Sequence, residues 1–170
     1  MFLPAELTVS AGTALRSPLQ LNMETLESST AEFRNILAGA PETLSRFTES
    51  EAAAPTAPGR WSRKEILGHL LDSAANNHHR FVRAQIQDEL TMPGYAQEAW
   101  VSTQHYQDRS WSELLAFWIS YNRHLLHLMD TAPEDRRRNP CRIAGGDPVT
   151  LEFLMIDYVS HLKHHLEQMR

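Results

Sequence analysis

The amino-acid sequence predicts an all-α protein, a four-helix bundle with a long connection between its second and third main helices. Apolar residues recur at helical spacing in four separate stretches, Ser-x-x-Glu capping patterns precede two of them, and proline or glycine interrupts the chain between them. No run shows the alternation expected of a half-buried strand. At 170 residues the chain is long enough for one domain with a sizeable core.

Residues 1–22 include Pro4, Gly12 and Pro18 without a sustained helical period, and are expected to form a loose arm; residues 23–170 then make up a single domain. From Glu24 to about Gly39, Leu26, Phe33, Ile36 and Leu37 fall on one face of a first helix, which Gly39 and Pro41 are expected to end. A short helical turn is expected around Glu42 to Thr48. The Ala- and Pro-rich segment Glu51 to Gly59 reads as a loop, because each proline removes a donor and restricts its predecessor.

Ser62 followed by Glu65 opens the second main helix, expected over about 62–88, with Ile66, Leu67, Leu70, Leu71, Phe81, Val82 and Ile86 as its apolar positions. Pro93-Gly94 starts a connection too long for a bundle turn, whose Tyr95, Trp100 and Tyr106 are expected to pack over one end. Ser110 and Glu113 open the third helix at about 111–130, carried by Leu114, Leu115, Trp118, Leu125, Leu126 and Met129. Ala132 to Gly146 reads as a loop, and Asp147-Pro148 as the N-cap and first-turn proline of a last helix running to about Gln168.

A formal net charge of −5 argues against a nucleic-acid partner, and the run Arg136-Arg137-Arg138 reads as a solvated loop edge. Cys141 is the single cysteine, so an internal disulfide or a thiolate-rich zinc or iron-sulfur site within one chain is excluded, and a packing role is expected for it. No stretch reaches the roughly 20 apolar residues of a membrane span. Glu6 stands where a signal peptide would be basic or apolar, so a cytoplasmic protein with no membrane partner is expected.

The chemistry concentrates in histidine. His161 and His165 are four residues apart on the last helix, one face and about 6 Å along the axis, within reach of a single ion. A third ligand has to come from another helix, and His69 heads a polar stripe with Asp72, Ser73, Asn76 and Arg80 on the second. Three protein ligands leave coordination positions for water or substrate. On spacing alone, a solvated histidine face near a helix C-terminus competes with this reading. His124, His127, His78, His79 and His105 are expected to be exposed or singly hydrogen-bonded.

Arg60-Trp61-Ser62 leading into Gly68-His69-Leu70-Leu71-Asp72-Ser73, then Arg80-Phe81, Tyr95, Trp100, and finally Tyr158 with His161-Leu162-Lys163-His164-His165 form an ordered set. In that set, which spans about residues 24–170, the sequence resembles the DinB-like superfamily and within it the YfiT-type metal-dependent hydrolases. The resemblance implies a four-helix bundle, often a homodimer, with one divalent ion, zinc or nickel, on His69, His161 and His165. It also implies a small-molecule substrate, with hydrolysis as the reaction or, as in related bundles, thiol S-transfer with an external low-molecular-weight thiol such as bacillithiol or mycothiol.

Asp72, one turn beyond His69, and Asp157, four residues before His161, are candidates to orient the imidazoles. Arg80, Trp100 and Arg123 are candidates to contact an anionic substrate. The sequence lacks the His-Glu-x-x-His arrangement of zincin proteases and singles out no general base. A further reading is a non-catalytic, metal-stabilised stress-response or interaction bundle, in which a fourth protein ligand such as His164 would close the site.

Overall fold

The computed structural model describes residues 24–169; the expected N-terminal arm lies outside them. The four main helices are α1 (Leu26–Leu44), α3 (Arg63–Ile86), α5 (Trp111–Thr131) and α7 (Leu151–Gln168). α1 and α3 each pack against both α5 and α7, so the first two main helices sit diagonally across the bundle. That arrangement departs from an up-and-down series of hairpins, and the long connection after α3 is consistent with it.

Tyr158 of α7 ties the four helices together. Its fully buried ring meets Phe33 of α1 and Phe81 of α3 edge-on at 5.8 and 5.9 Å, and its hydroxyl donates to Asn122 Oδ1 of α5. Asn122 in turn donates to the Trp118 carbonyl at 2.8 Å. Leu67, Leu70, Leu114, Leu125 and Leu154 fill the surrounding core.

α3 begins as its sequence directs, with Ser62 Oγ accepting from Glu65 N at 3.2 Å and Glu65 Oε2 accepting from Ser62 N at 2.8 Å. At α5 only one arm of the pattern forms: Ser110 Oγ accepts from Glu113 N, while the Glu113 carboxylate turns to Arg109 at 3.6 Å.

Four local expectations are corrected. α1 does not stop at Gly39 but runs through Pro41 to Leu44, because Leu44 is buried and its carbonyl accepts from Trp111 Nε1 at 2.9 Å, a tertiary contact that outweighs the proline. The short helix expected near residues 42–48 forms instead as α2 (Glu49–Ala53), where Thr48 and Glu51 make a reciprocal cap inside what read partly as loop. The 132–146 stretch contains α6 (Glu134–Arg137) and β2 (Pro140–Ile143), not loop alone. Asp147-Pro148 does not cap the last helix; Thr150 does, accepting from Phe153 N at 3.1 Å, because residues 149–150 are drawn into a strand.

That strand, β3 (Val149–Thr150), pairs antiparallel with β2, which pairs in parallel with β1 (Leu90–Met92). The sheet fastens the connection after α3 to the one before α7. The first connection also contains α4 (Gln97–Thr103) and a 3-10 turn at Tyr106–Asp108. Arg136 and Arg137 pair with Asp88 and Glu27 at the loop edge, and Cys141 is fully buried in β2 with its thiol pushed up by burial to about 11, an inert packing group.

Candidate metal centre

α3 and α7 run side by side, and their facing stripes bring together the three histidines singled out in the sequence. One ring nitrogen from each of His69, His161 and His165 lies within 4.8 Å of the others. The ring centroids of His161 and His165 are 4.5 Å apart, those of His69 and His165 4.6 Å, and those of His69 and His161 5.1 Å. The Nε2 atoms of His69 and His161 are separated by 3.2 Å. Nitrogens held about 2.0–2.1 Å from one tetrahedral ion would stand roughly 3.3 Å apart, the spacing that the His69–His161 pair already has, with His165 within 4.8 Å of both.

Burial sets the electrostatics. Desolvation lowers the His69 imidazolium to about 3 and that of His161 to about 2, with the neighbouring histidines adding to the effect; His165 is lowered for the same two reasons, against the hydrogen bond it donates to Gln168. All three rings are therefore neutral near pH 7, the form that donates to a metal. His165 Nδ1 lies 3.1 Å from Gln168 Oε1, which fixes that nitrogen as the donor and leaves the buried Nε2 with a free lone pair and no partner. His161 Nδ1 faces Ser73 Oγ at 3.5 Å. The Trp61 ring stands 5.3 Å from His69, and His69 Nδ1 is buried without a partner. The residues present thus fit a divalent ion of the class that takes imidazole.

The remaining candidates fall in different places. Asp72 does not bond to a histidine: its Oδ1 accepts from Tyr106 Oη at 2.7 Å and from Gln104 Nε2. It anchors the connection to α3, beside Gly68, where a Cβ would overlap the Tyr106 ring. His105, between the two Asp72 donors, has a left-handed backbone (φ 50°), a turn that brings Gln104 and Tyr106 to the same carboxylate. Asp157 is half-buried and its charge favours the cationic form of Arg80. Arg80 is buried near the triad, and its charge is felt at His161. Trp100 is 39 % exposed with its ring 5.0 Å from that of Tyr95. Arg123 is exposed on α5 and makes no hydrogen bond or ion pair among the described residues.

His164 is exposed and engaged by Gln168 Nε2 at 2.9 Å, so it is turned away from the triad. His78 bonds Tyr121 Oη at 3.0 Å and its ring is 5.0 Å from that of His124, on the side of α3 that faces α5. Ser73 is part of the polar stripe, but nothing in the sequence marks it as a partner of His161. Trp61 and Gln168 were not singled out as site residues; Gln168 carried a signal in its i+3 spacing from His165. Two surface depressions, of about 620 and 290 Å³, lie between α1 and α5 and between α1 and α7, and none of the three histidines lines either.

Among solved structures the chain is similar to YfiT from Bacillus subtilis, described as "a probable metal-dependent hydrolase with an unusual four-helix bundle topology". The two share 20 % identity and a TM-score of 0.76, over 85 % of this chain and 83 % of that one, a likeness of fold. No curated protein matches the chain. The family model of the DinB superfamily matches residues 27–169, which takes in all three histidines and, but for Leu26, the four main helices, and the chain belongs to the DinB superfamily.

Proposed function

We propose that the chain is a metal-dependent hydrolase of small molecules, with His69, His161 and His165 holding one divalent ion, zinc or nickel. The observation that carries the proposal is the convergence of three neutral imidazoles, those of His69 and His165 buried and that of His161 half-buried, with His164 held elsewhere by Gln168. A three-histidine set leaves coordination positions for water and substrate, whereas a closed structural site takes a fourth protein ligand. The reading places the protein in the cytoplasm as a homodimer.

When bound, such an ion lowers the pKa of a water and polarises a substrate oxygen. The chain's own residues do the rest. Gln168 holds the Nδ1 proton of His165 and Ser73 faces Nδ1 of His161, so Nε2 of each is presented as the donor. Trp61 covers His69 and keeps water from its face. Asp72, through Tyr106 and Gln104, fixes the connection beside α3 and so the position of Tyr95 and Trp100.

The test is elemental analysis of untagged wild type and His69→Ala, both purified without added metal. About one zinc or nickel per chain in wild type, lost in the variant, is the expected result, and cobalt substitution should then show an exchangeable water. Absence of metal even after reconstitution would overturn the proposal, as would a coordinatively closed ion that fastens α7 to α3 without turnover.

A further inference from the structure

The polar stripe of α3 does not end at the histidines. Asn77, one turn beyond Ser73, donates to the Ser73 carbonyl at 3.0 Å and to its Oγ at 3.4 Å, and accepts from Arg80 Nη1 at 3.3 Å. A continuous line of contacts therefore runs His161, Ser73, Asn77, Arg80. The guanidinium folds back over the preceding turn, as helical side chains do, so that it lies about 6 Å, one helical turn, along the axis from Ser73.

Arg80 is an expensive residue for this position. It is 8 % exposed, its bond to Asn77 is to a neutral amide, and its Nε–H is buried without a partner. Leaving donors of a buried cation unmet costs more than the same loss for a neutral group. The groups whose charge bears on it from other elements are Asp157 of α7, Tyr95 of the connection and Cys141 of β2. Burial raises Tyr95 to about 12 and Cys141 to about 11, so both are neutral near pH 7 and Asp157 is the one anion of the three. The ring of half-buried Tyr95 stands 5.0 Å from that of Trp100, which is 39 % exposed.

We propose that Arg80 is the acid-binding subsite of the histidine centre, and that the substrate is a small molecule carrying a carboxylate that Arg80 binds while its reacting end lies at His69, His161 and His165. The inference rests on the preceding reading for the reacting end. A carboxylate suits the site better than a phosphate dianion for two reasons. The planar guanidinium fork matches a planar carboxylate, and Asp157 already supplies a negative charge that a dianion would face. Asn77 is the positioning residue that links the two ends.

The test reads binding, not turnover. Protein loaded with Co²⁺ is titrated with 3-mercaptopropionate and with its neutral amide, 3-mercaptopropionamide, following the thiolate-to-cobalt absorption. The acid is expected to bind at least about tenfold tighter than the amide, a difference of 1.4 kcal/mol, and the advantage is expected to vanish in Arg80→Gln and to survive in part in Arg80→Lys. Equal affinities in wild type overturn the proposal whether or not any variant folds. An advantage that persists in a folded Arg80→Gln overturns the assignment to Arg80. Inorganic phosphate displacing the thiol acid more strongly than propionate does overturns the carboxylate. Failure of Co²⁺ to bind, or binding unchanged in His69→Ala, sinks the metal reading instead. The acid subsite is then read in metal-free protein by the thermal shift of propionate against propionamide, where no Arg80-dependent difference overturns it too.

Discussion

α3 carries histidine on two faces, and the two faces do different things. Toward α7, His69 is fully buried and meets two further histidines at ring distances of 4.6 and 5.1 Å. Toward α5, His78 is half-buried and spends a nitrogen on Tyr121, with His124 exposed beside it. Residue type and helical spacing are alike on both faces. What separates a candidate metal centre from a polar surface is that burial strips water from three rings together and leaves nitrogens unpartnered, a debt that hydrogen bonding to Tyr121 settles for His78.

The largest consequence of that contrast is acid sensitivity of the metal-free protein. The folded-state pKa values of His69 and His161, about 3 and about 2, lie below the ordinary histidine value of 6.5, and His165 is shifted the same way. The unfolded chain therefore takes up protons first as pH falls. The stability that depends on neutral imidazoles is complete above about 6.5 and is lost progressively toward 3. Asp72, whose carboxyl is raised by burial, acts in the opposite sense as pH falls through its raised pKa toward the ordinary 3.8, within this window, and offsets part of the loss. A fall of the unfolding midpoint on the order of 10 °C between pH 7 and pH 4.5 is expected, by thermal denaturation of apo-protein. His161→Gln should flatten the curve far more than His78→Gln. Equal slopes for both variants would mean the two faces do not differ in burial as described.

Metal affinity breaks the comparison more directly. His165→Ala removes a proposed donor and should weaken zinc binding by about 100-fold or more, since even loss of an orienting partner costs 10–100-fold. His124→Ala, on the other face, should change it by less than about twofold, because surface substitutions are nearly neutral. Competition titration with a chromophoric chelator separates the two, and comparable losses would move the site to the α3–α5 face.

The helix framework was legible because its signals are local and redundant. Ser62 with Glu65 and the apolar positions of α3 agree on one element, and His161 with His165 needs only the 3.6-residue repeat. The misreadings share a different cause. Nothing near Pro41 announces that Trp111, seventy residues on, will donate its indole N–H to the Leu44 carbonyl and hold the last turn of α1 in place. The strands are two to four residues long, too short for a period of two to show, and exist because β2 lies between two connections. Asp72 was placed by its spacing from His69, yet its partners Gln104 and Tyr106 come from a connection whose path depends on the left-handed turn at His105. Third ligands and hydrogen-bond partners drawn from other elements are tertiary facts, and the sequence names candidates for them without choosing.

Ser73 and Asp72, neighbours on α3, give the finest version of the contrast. Ser73 faces His161 Nδ1, so Ser73→Ala should lower zinc affinity by about tenfold, the low end for an orienting partner, with little change in fold stability. Tyr106→Phe removes the 2.7 Å bond to Asp72 Oδ1 and leaves the buried carboxylate with Gln104 alone. It should destabilise the fold by about 1–2 kcal/mol in urea titration while leaving zinc affinity within about twofold, because Asp72 holds the connection and not an imidazole. If Tyr106→Phe instead weakened zinc as much as Ser73→Ala, the effect would have to pass through Asp72 to His69, whose Nδ1 is the one triad nitrogen outside the donor set that is buried without a partner. The carboxylate would then belong to the metal centre, as its one-turn spacing from His69 first suggested.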